Sequence, residues 1–423
     1  MGRIGFRRGL LLAALGAFAL RATYALSVQR PPGTHGDADW YHAMANQLAD
    51  GHGYVNPFRL AGPHLIPSGG HGPPTAFHPP LFPALLSLFS DVGLRGFRAH
   101  ELAGCLMGAA TVVVLGLLVR ELAGATAGVL AAVVAAVSLS LIGDDAVLMS
   151  ESLYGLTIAC ALYAAVRLLR APRSVRWAVA LGVAIGAAAL TRGEGLLLAI
   201  AIAVPVGLAG GSGRWRRLAL VAVACLVVIA PWTARNWHVF HRPVLITTTD
   251  GAVLASANAP TTYHGRLLGY FDFTALATAS RLPDNEAAAA AVLRRKGLRY
   301  ATRHVGRWPV VGAARVLRTW GAWSPSEQAD IALFVHGQPR SYALLALAFY
   351  ALTLVLGGWA AWRLIPRIPH LWVLLTPAVL VTLTSLVAYG DARFRIGLDI
   401  ALAGLAGIGL SALLGRELPW ATR

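Results

Sequence analysis

The chain has 423 residues, of which 57% are hydrophobic and 13% charged, and its mean hydropathy is +0.61. A soluble domain carries roughly 25% charged residues, so this composition excludes a water-soluble enzyme, and its apolar content excludes a disordered chain. The net charge of +17 comes from 36 basic against 19 acidic residues; in so apolar a chain the arginines set membrane orientation rather than bind nucleic acid.

A membrane-spanning helix needs about 20 mostly apolar residues. Ten segments qualify in chain order: roughly 9–28, 98–119, 123–142, 152–169, 177–191, 196–210, 218–234, 341–362, 370–388 and 396–414. The fifth and sixth are short, and Thr191-Arg192-Gly193-Glu194-Gly195 between them reads as a tight turn. The first is read as an uncleaved anchor, because Arg21 interrupts its core; a cleaved signal peptide is the alternative. Cys105, Cys160 and Cys225 all fall in apolar runs without a CxxC pair, so no disulfide framework or thiolate metal site is implied.

Arginine placement predicts the topology. With Arg3, Arg7 and Arg8 in the cytoplasm, the inward loops carry Arg120; Arg167, Arg170, Arg173 and Arg176; Arg214, Arg216 and Arg217; Arg363 and Arg367; and Arg416 with Arg423. Every inward loop is then basic and both termini lie inside. Two long segments, 29–97 and 235–340, face outward in this reading and hold nearly all the histidines. Such lengths mark functional loops. The expected organisation is a core over 1–234 that includes the loop 29–97, a long outer loop over 235–340 that selects the acceptor, and C-terminal spans over 341–423. No internal repeat is visible, which counts against an inverted-repeat transporter.

The first outer loop opens Gly36-Asp37-Ala38-Asp39-Trp40-Tyr41-His42 at the start of a helical pattern. Asp37 and Asp39 there are read either as helix caps or as carboxylates held at the membrane surface to take a proton from a hydroxyl. Asp-Ala-Asp also matches the DxD pattern of nucleotide-sugar enzymes, but an outward site lacks nucleotide sugars and needs its activated sugar on a lipid. His78, in Phe77-His78-Pro79-Pro80-Leu81, is either a phosphate contact or a plain surface histidine. The run His35, His42, His52, His64, His71 and His78 lacks the spacing of a zinc motif. Asp144, Asp145 and Glu151 place three acids in one short outer loop, more than capping requires. Arg192, Arg235, Arg393 and Arg395 also fall outside, where a guanidinium either grips a phosphate or snorkels to headgroups. Pro283-Asp284-Asn285-Glu286 before Ala287–Ala291 predicts a helix start capped by Asp284.

In their order, Gly36-Asp37-x-x-x-Tyr41-His42, Phe77-His78-Pro79-Pro80-Leu81, Ser150-Glu151, Leu190-Thr191-Arg192-x-Glu194, Pro231-Trp232-x-x-Arg235-Asn236 and Arg393-Phe394-Arg395 resemble the GT-C superfamily of membrane glycosyltransferases. The nearest in style are bacterial relatives of protein O-mannosyltransferases and of the lipid A aminoarabinose transferase. The resemblance implies an all-α bundle of about ten transmembrane helices, with two long outward loops bearing interfacial helices. It implies Asp37 as catalytic base, with Asp39, Asp144, Asp145 and Glu151 as supporting acids. His78, Arg192, Arg393 and Arg395 are the expected contacts to the donor phosphate, although several relatives have lysine where this chain has His78.

The implied reaction is inverting transfer of a sugar from a polyprenyl phosphate to a hydroxyl of a polysaccharide, lipid or protein, at the outer face of the plasma membrane. No cofactor is obligatory, and a divalent cation is left open. The rival readings are a transporter or flippase of a lipid-linked precursor, which requires ionisable groups in mid-span and broken helices, and a non-catalytic partner in an envelope complex.

Overall fold

The computed structural model describes residues 3–28, 36–61, 64–209, 213–277 and 282–415; Arg416, Arg423 and His35 lie outside them. All ten apolar segments are helical, but they are not ten equal spans. Among the described residues, six helices are long and apolar enough to cross a bilayer: Ile4–Ser27, Phe97–Ala123, Glu151–Arg170, Arg214–Phe240, Arg340–Leu364 and Ala392–Leu413. The segment expected over 123–142 is a bent pair, Ala125–Val137 and Leu139–Ala146, meeting at 59°; counted as one span it makes seven. Val175–Thr191, Gly193–Leu208 and Leu371–Val387 are apolar but shorter. At 1.5 Å per residue they fall short of a hydrocarbon core about 30 Å thick. The helix Arg214–Phe240 runs through residue 234, so the expected boundary there lies inside a helix.

The centre of the bundle is Ile396–Leu413, buried along nearly its whole length. Small residues let neighbouring backbones approach it, as in other membrane bundles. A Cβ on Gly407 would stand 2.3 Å from the Ala131 backbone nitrogen, so no larger residue fits there. The bend in Ala125–Val137/Leu139–Ala146 has an identifiable partner. A helix end leaves its last carbonyls without intrahelical donors, and Arg21 supplies them: its Nη1 and Nη2 donate to the carbonyls of Ala136 and Ala135 at 3.2 and 3.3 Å. Its Nε donates to Asp145 at 2.7 Å.

The two long loops build one layer at an end of the bundle. The first contributes the helix Asp37–Ala49, the antiparallel hairpin Phe58–Ala61/His64–Pro67 and the helix Leu81–Asp91. The second contributes, among others, Glu286–Arg303, Trp308–Thr319 and Pro325–His336. The alanine-run helix is capped one residue later than expected: Asn285, not Asp284, accepts from Ala288 N.

Glu286 then joins the two loops. Its carboxylate accepts from Thr75 Oγ1 at 2.7 Å, Ala76 N at 2.9 Å and Thr248 Oγ1 at 2.5 Å. Arg235 donates to the carbonyls of Thr75 and Tyr54 beside it, and Thr247 and Thr249 donate to the carbonyl of Phe77. Residues 75–77, immediately before His78, are thus held from three directions. Glu286→Ala leaves the Ala76 N–H and two hydroxyls without their acceptor, a loss of about 1–3 kcal/mol. The expected result is a lower Tm and faster proteolysis of the loop layer, measured on protein in nanodiscs; an unchanged digest would show that the latch does not hold the loops.

Candidate active site

Asp37 is the first residue of the helix Asp37–Ala49, and Gly36, not an aspartate, is its N-cap. The capping reading is therefore not what occupies Asp37. A carboxylate in the first turn also gains from the helix dipole. Asp39 lies in the same turn but two residues on, and residues at that spacing do not share a helix face. The two carboxylates of the DxD match accordingly do not converge.

The Asp37 carboxylate meets a histidine and an arginine from distant parts of the chain. Oδ1 is 3.5 Å from His78 Nε2, and Oδ2 is 3.4 Å from Arg393 Nη2. His78 is mostly buried, and its Nδ1 lies 3.3 Å from the Tyr41 hydroxyl. That hydroxyl also donates to Ser150 Oγ at 3.3 Å. Tyr41 is one helical turn beyond Asp37, so the helix presents both to the same neighbours. Burial pushes the Asp37 carboxyl up, but His78, Arg393 and Arg192 together outweigh it and hold the group well below the usual carboxylate range.

Glu151 organises the arginines. It begins the helix Glu151–Arg170 directly after Ser150 and is buried. Its Oε1 accepts from Arg192 Nη1 at 2.6 Å and from Arg393 Nε at 2.7 Å, and Arg192 also donates to Glu194 at 2.5 Å. Arg393 is placed by the 3-10 turn Ala392–Arg395, whose N-cap Asp391 accepts from the Arg393 N–H at 3.1 Å. Glu151 thus fixes Arg393 at a shorter distance than Asp37 does, and compensates both buried arginines at once.

The structure thus brings together Asp37, His78, Glu151, Arg192 and Arg393 from five separate segments. The other expected residues fall elsewhere. Asp145 is paired with Arg21 inside the bundle. Asp144 lines a recess that Arg393 also lines. Arg395 is buried, with Nε 3.2 Å from Asp399 and its guanidinium 3.7 Å over the Tyr350 ring. Sequence reasoning did not single out Ser150 as a contact, Tyr41 as a partner of His78, or Asp399, which sits inside a span. Only Tyr41 carried a signal, through its spacing from Asp37.

Residues 77–234 match the family described as dolichyl-phosphate-mannose-protein mannosyltransferase. The apo oligosaccharyltransferase of Archaeoglobus fulgidus aligns over 98% of this chain and 51% of its own, with a TM-score of 0.57 and 16% identity. The chain has the GT-C fold. A second structure of that archaeal enzyme, AglB with an inhibitory peptide and a dolichol-phosphate, aligns over 97% of this chain and 50% of its own, with a TM-score of 0.55 and 16% identity. The chain spans about half the length of those enzymes. ArnT from Cupriavidus metallidurans, bound to undecaprenyl phosphate, aligns over 97% of this chain and 79% of its own, at 17% identity and a TM-score of 0.42. No curated protein matches the chain in sequence.

One structure of the archaeal oligosaccharyltransferase holds Zn and sulfate. Among the described residues of this chain, no group of three or more His, Cys, Asp or Glu side chains is arranged to hold a metal ion. At the candidate site a guanidinium already contacts each of the carboxylates of Asp37, Glu151 and Glu194. That donor set does not fit a divalent cation, and no step is derived through one.

Proposed function

We propose that the chain transfers a sugar from a polyprenyl-phosphate donor to an acceptor hydroxyl, with inversion, at the outward face of the plasma membrane. The observation that carries this reading is a single ionised carboxylate, Asp37, held at a bundle end by His78 and Arg393. Asp37 takes the proton of the acceptor hydroxyl, and the hydroxyl oxygen attacks the anomeric carbon as its bond to the phosphate oxygen breaks. The phosphate leaves as a weak base and needs no general acid. Arg393 lies next to the base and stabilises the growing negative charge. Arg192 and His78 are held by carboxylates and act mainly on the position of Arg393 and Asp37. Glu151 orients the two arginines, and the loop over 235–340 forms the acceptor side.

The test is a donor screen on purified protein in nanodiscs, with polyprenyl-phosphate mannose, arabinofuranose, glucose and galactose offered in turn alongside candidate acceptors. Release of polyprenyl phosphate from one donor by wild type, and not by Asp37→Asn, is the expected result and names the sugar. Chelation with EDTA is expected to change the rate by less than about twofold, since the carboxylates are already charge-paired; a complete loss would reinstate a metal.

The transporter reading gains one specific observation: the broken pair Ala125–Val137/Leu139–Ala146 with the Arg21–Asp145 pair beside it. Movement of a labelled polyprenyl-phosphate sugar across vesicles without cleavage of its sugar–phosphate bond would favour that reading over transfer.

A further inference from the structure

The helix Asp37–Ala49 has a second polar face beside the one that meets His78. Asp37 and Tyr41 are one turn apart on the first; His42 and Asn46 are one turn apart on the second. There they meet Ser90, near the end of the helix Leu81–Asp91, and His100, in the first turn of Phe97–Ala123. Ser90 and His100 are buried, at 1% and 0% exposed, and His42 and Asn46 are partly buried.

These four side chains close a ring of hydrogen bonds whose direction is fixed by one carbonyl. The Arg95 carbonyl can only accept, so Asn46 turns its nitrogen Nδ2 toward it, at 3.2 Å. Asn46 Oδ1 therefore faces Ser90, whose Oγ donates its one proton there at 2.8 Å. With that proton committed, His100 Nε2, 3.0 Å from Ser90 Oγ, must be the donor to it. His100 Nδ1 lies 3.1 Å from His42 Nδ1. In a neutral His100 that Nδ1 is an acceptor, so His42 Nδ1 donates to it, and His42 Nε2 accepts from Asn46 Nδ2 at 3.4 Å. Every link then holds one proton. A further proton on either imidazole sets two donors against each other, at the contact between the histidines or at Asn46.

The ring ties together the two elements that meet at the candidate site. Asp37 starts the helix that carries His42 and Asn46, and His78 stands three residues before the helix that carries Ser90. The charged groups around the ring are Asp39, Asp50, Asp91, Arg95, Arg98 and Glu101. Asp50 is paired with Arg95 at 2.7 Å and Glu101 with Arg98 at 2.8 Å, and Asp91 is exposed. Burial holds the His42 imidazole below the usual histidine range, against the pull of Asp39.

We propose that His42, Asn46, Ser90 and His100 form an acid-labile clamp that positions Asp37 against His78. Protonation of either imidazole opens the ring and frees the helix Asp37–Ala49 from Leu81–Asp91 and from the first turn of Phe97–Ala123. An opened histidine takes up a proton near about pH 6.5, and the closed ring excludes it until the pH is lower. The clamp is thus complete above about pH 6.5 and weakens as pH falls below that value. The clamp stands apart from the transfer reading; only its effect on turnover rests on it.

The test is hydrogen exchange of residues 37–49 in the full-length protein in nanodiscs, corrected for the intrinsic pH dependence of exchange. Between about pH 7.5 and about pH 5.5, opening of this helix in wild type is expected to rise about tenfold, the effect of one pH unit below the ordinary histidine value. The double variant His42→Phe with His100→Phe removes both titrating groups and leaves the Ser90–Asn46 and Asn46–Arg95 bonds. Its opening is expected to vary by less than about twofold over that range. A double variant whose Tm has collapsed at neutral pH is replaced by Asn46→Leu. That change removes the amide that opposes a proton on His42, so it too should flatten the response. Opening that does not depend on pH in wild type, or the full wild-type response in the variant, overturns the clamp. With a donor that supports turnover, kcat/KM should show an acid limb over the same range in wild type and none in the variant; an unchanged limb would show that the clamp does not position Asp37. Acid-dependent opening without release from any donor keeps the clamp and removes the transfer reading, and release with pH-independent opening does the reverse.

Discussion

Asp37→Asn is expected to lower turnover by about 10²–10⁴-fold, the contribution of a positioned general base, while the protein still inserts and keeps its Tm. The reason lies in the neighbours of the carboxylate. Asparagine has nearly the same shape and still accepts from Arg393, whose position is fixed independently by Glu151; what it lacks is a lone pair basic enough to take a proton. Asp39→Asn is expected to be much milder, because Asp39 faces away from Asp37 around the helix. Equal losses in the two variants would mean that the pair acts together.

The same surroundings fix a pH behaviour. The folded-state pKa of Asp37 is depressed, so the group stays ionised from about pH 8 down to about pH 5, and its contribution to stability is lost only as pH falls through that depressed value. Protonation of Asp37 should therefore produce no acid limb in kcat/KM over this interval. Arg393→Gln removes one of the groups that hold the carboxyl down and should shift its acid limb upward; an unshifted profile would show that Arg393 does not set the value.

The second large effect is on stability. Arg21→Leu should destabilise the bundle by about 3–5 kcal/mol, because it leaves Asp145 buried and unpaired. It also removes the donors that serve the carbonyls of Ala135 and Ala136. The double variant Arg21→Leu with Asp145→Leu should recover part of the loss but not all of it, since those carbonyls still lack a donor. Gly108 makes room for the pair: a Cβ there would lie 2.1 Å from Asp145 Oδ2 and 2.7 Å from Arg21 Nε. Gly108→Ala should therefore be destabilising in the same assay, thermal unfolding in nanodiscs. A double variant less stable than Arg21→Leu alone would contradict the pairing.

Much of this architecture could be read from the chain because apolar length and arginine placement are local properties. The ten apolar segments were visible for that reason, and so was the loop that carries Asp37. The bend at residue 138 was not, since a run such as Ala125–Val137 continues into Leu139 with no proline to interrupt it. Its partner Arg21 was visible only as an interruption of the first span. At the site, the types Asp37, His78, Glu151, Arg192 and Arg393 could be picked out, because charged residues beside apolar runs are rare. Their pairing could not, because nothing local says that Glu151 takes both arginines or that His78 turns toward Asp37. Glu286 lies in a loop of ordinary polar composition. Its role follows from which hydroxyls and backbone groups the fold places beside it, and no spacing along the chain encodes that.

The contact between Arg393 and Asp37 joins residues 356 positions apart. A ribosome adding about 5–20 residues per second would take roughly 20–70 s to travel between them. Throughout that interval the helix beginning at Asp37 is already synthesised while the turn that delivers Arg393 is not. A chain stalled or truncated before its final pair of helices would carry the whole first loop yet lack the guanidinium that steadies its carboxylate. Such a nascent chain has no assembled centre, so completion of synthesis itself gates when the site forms.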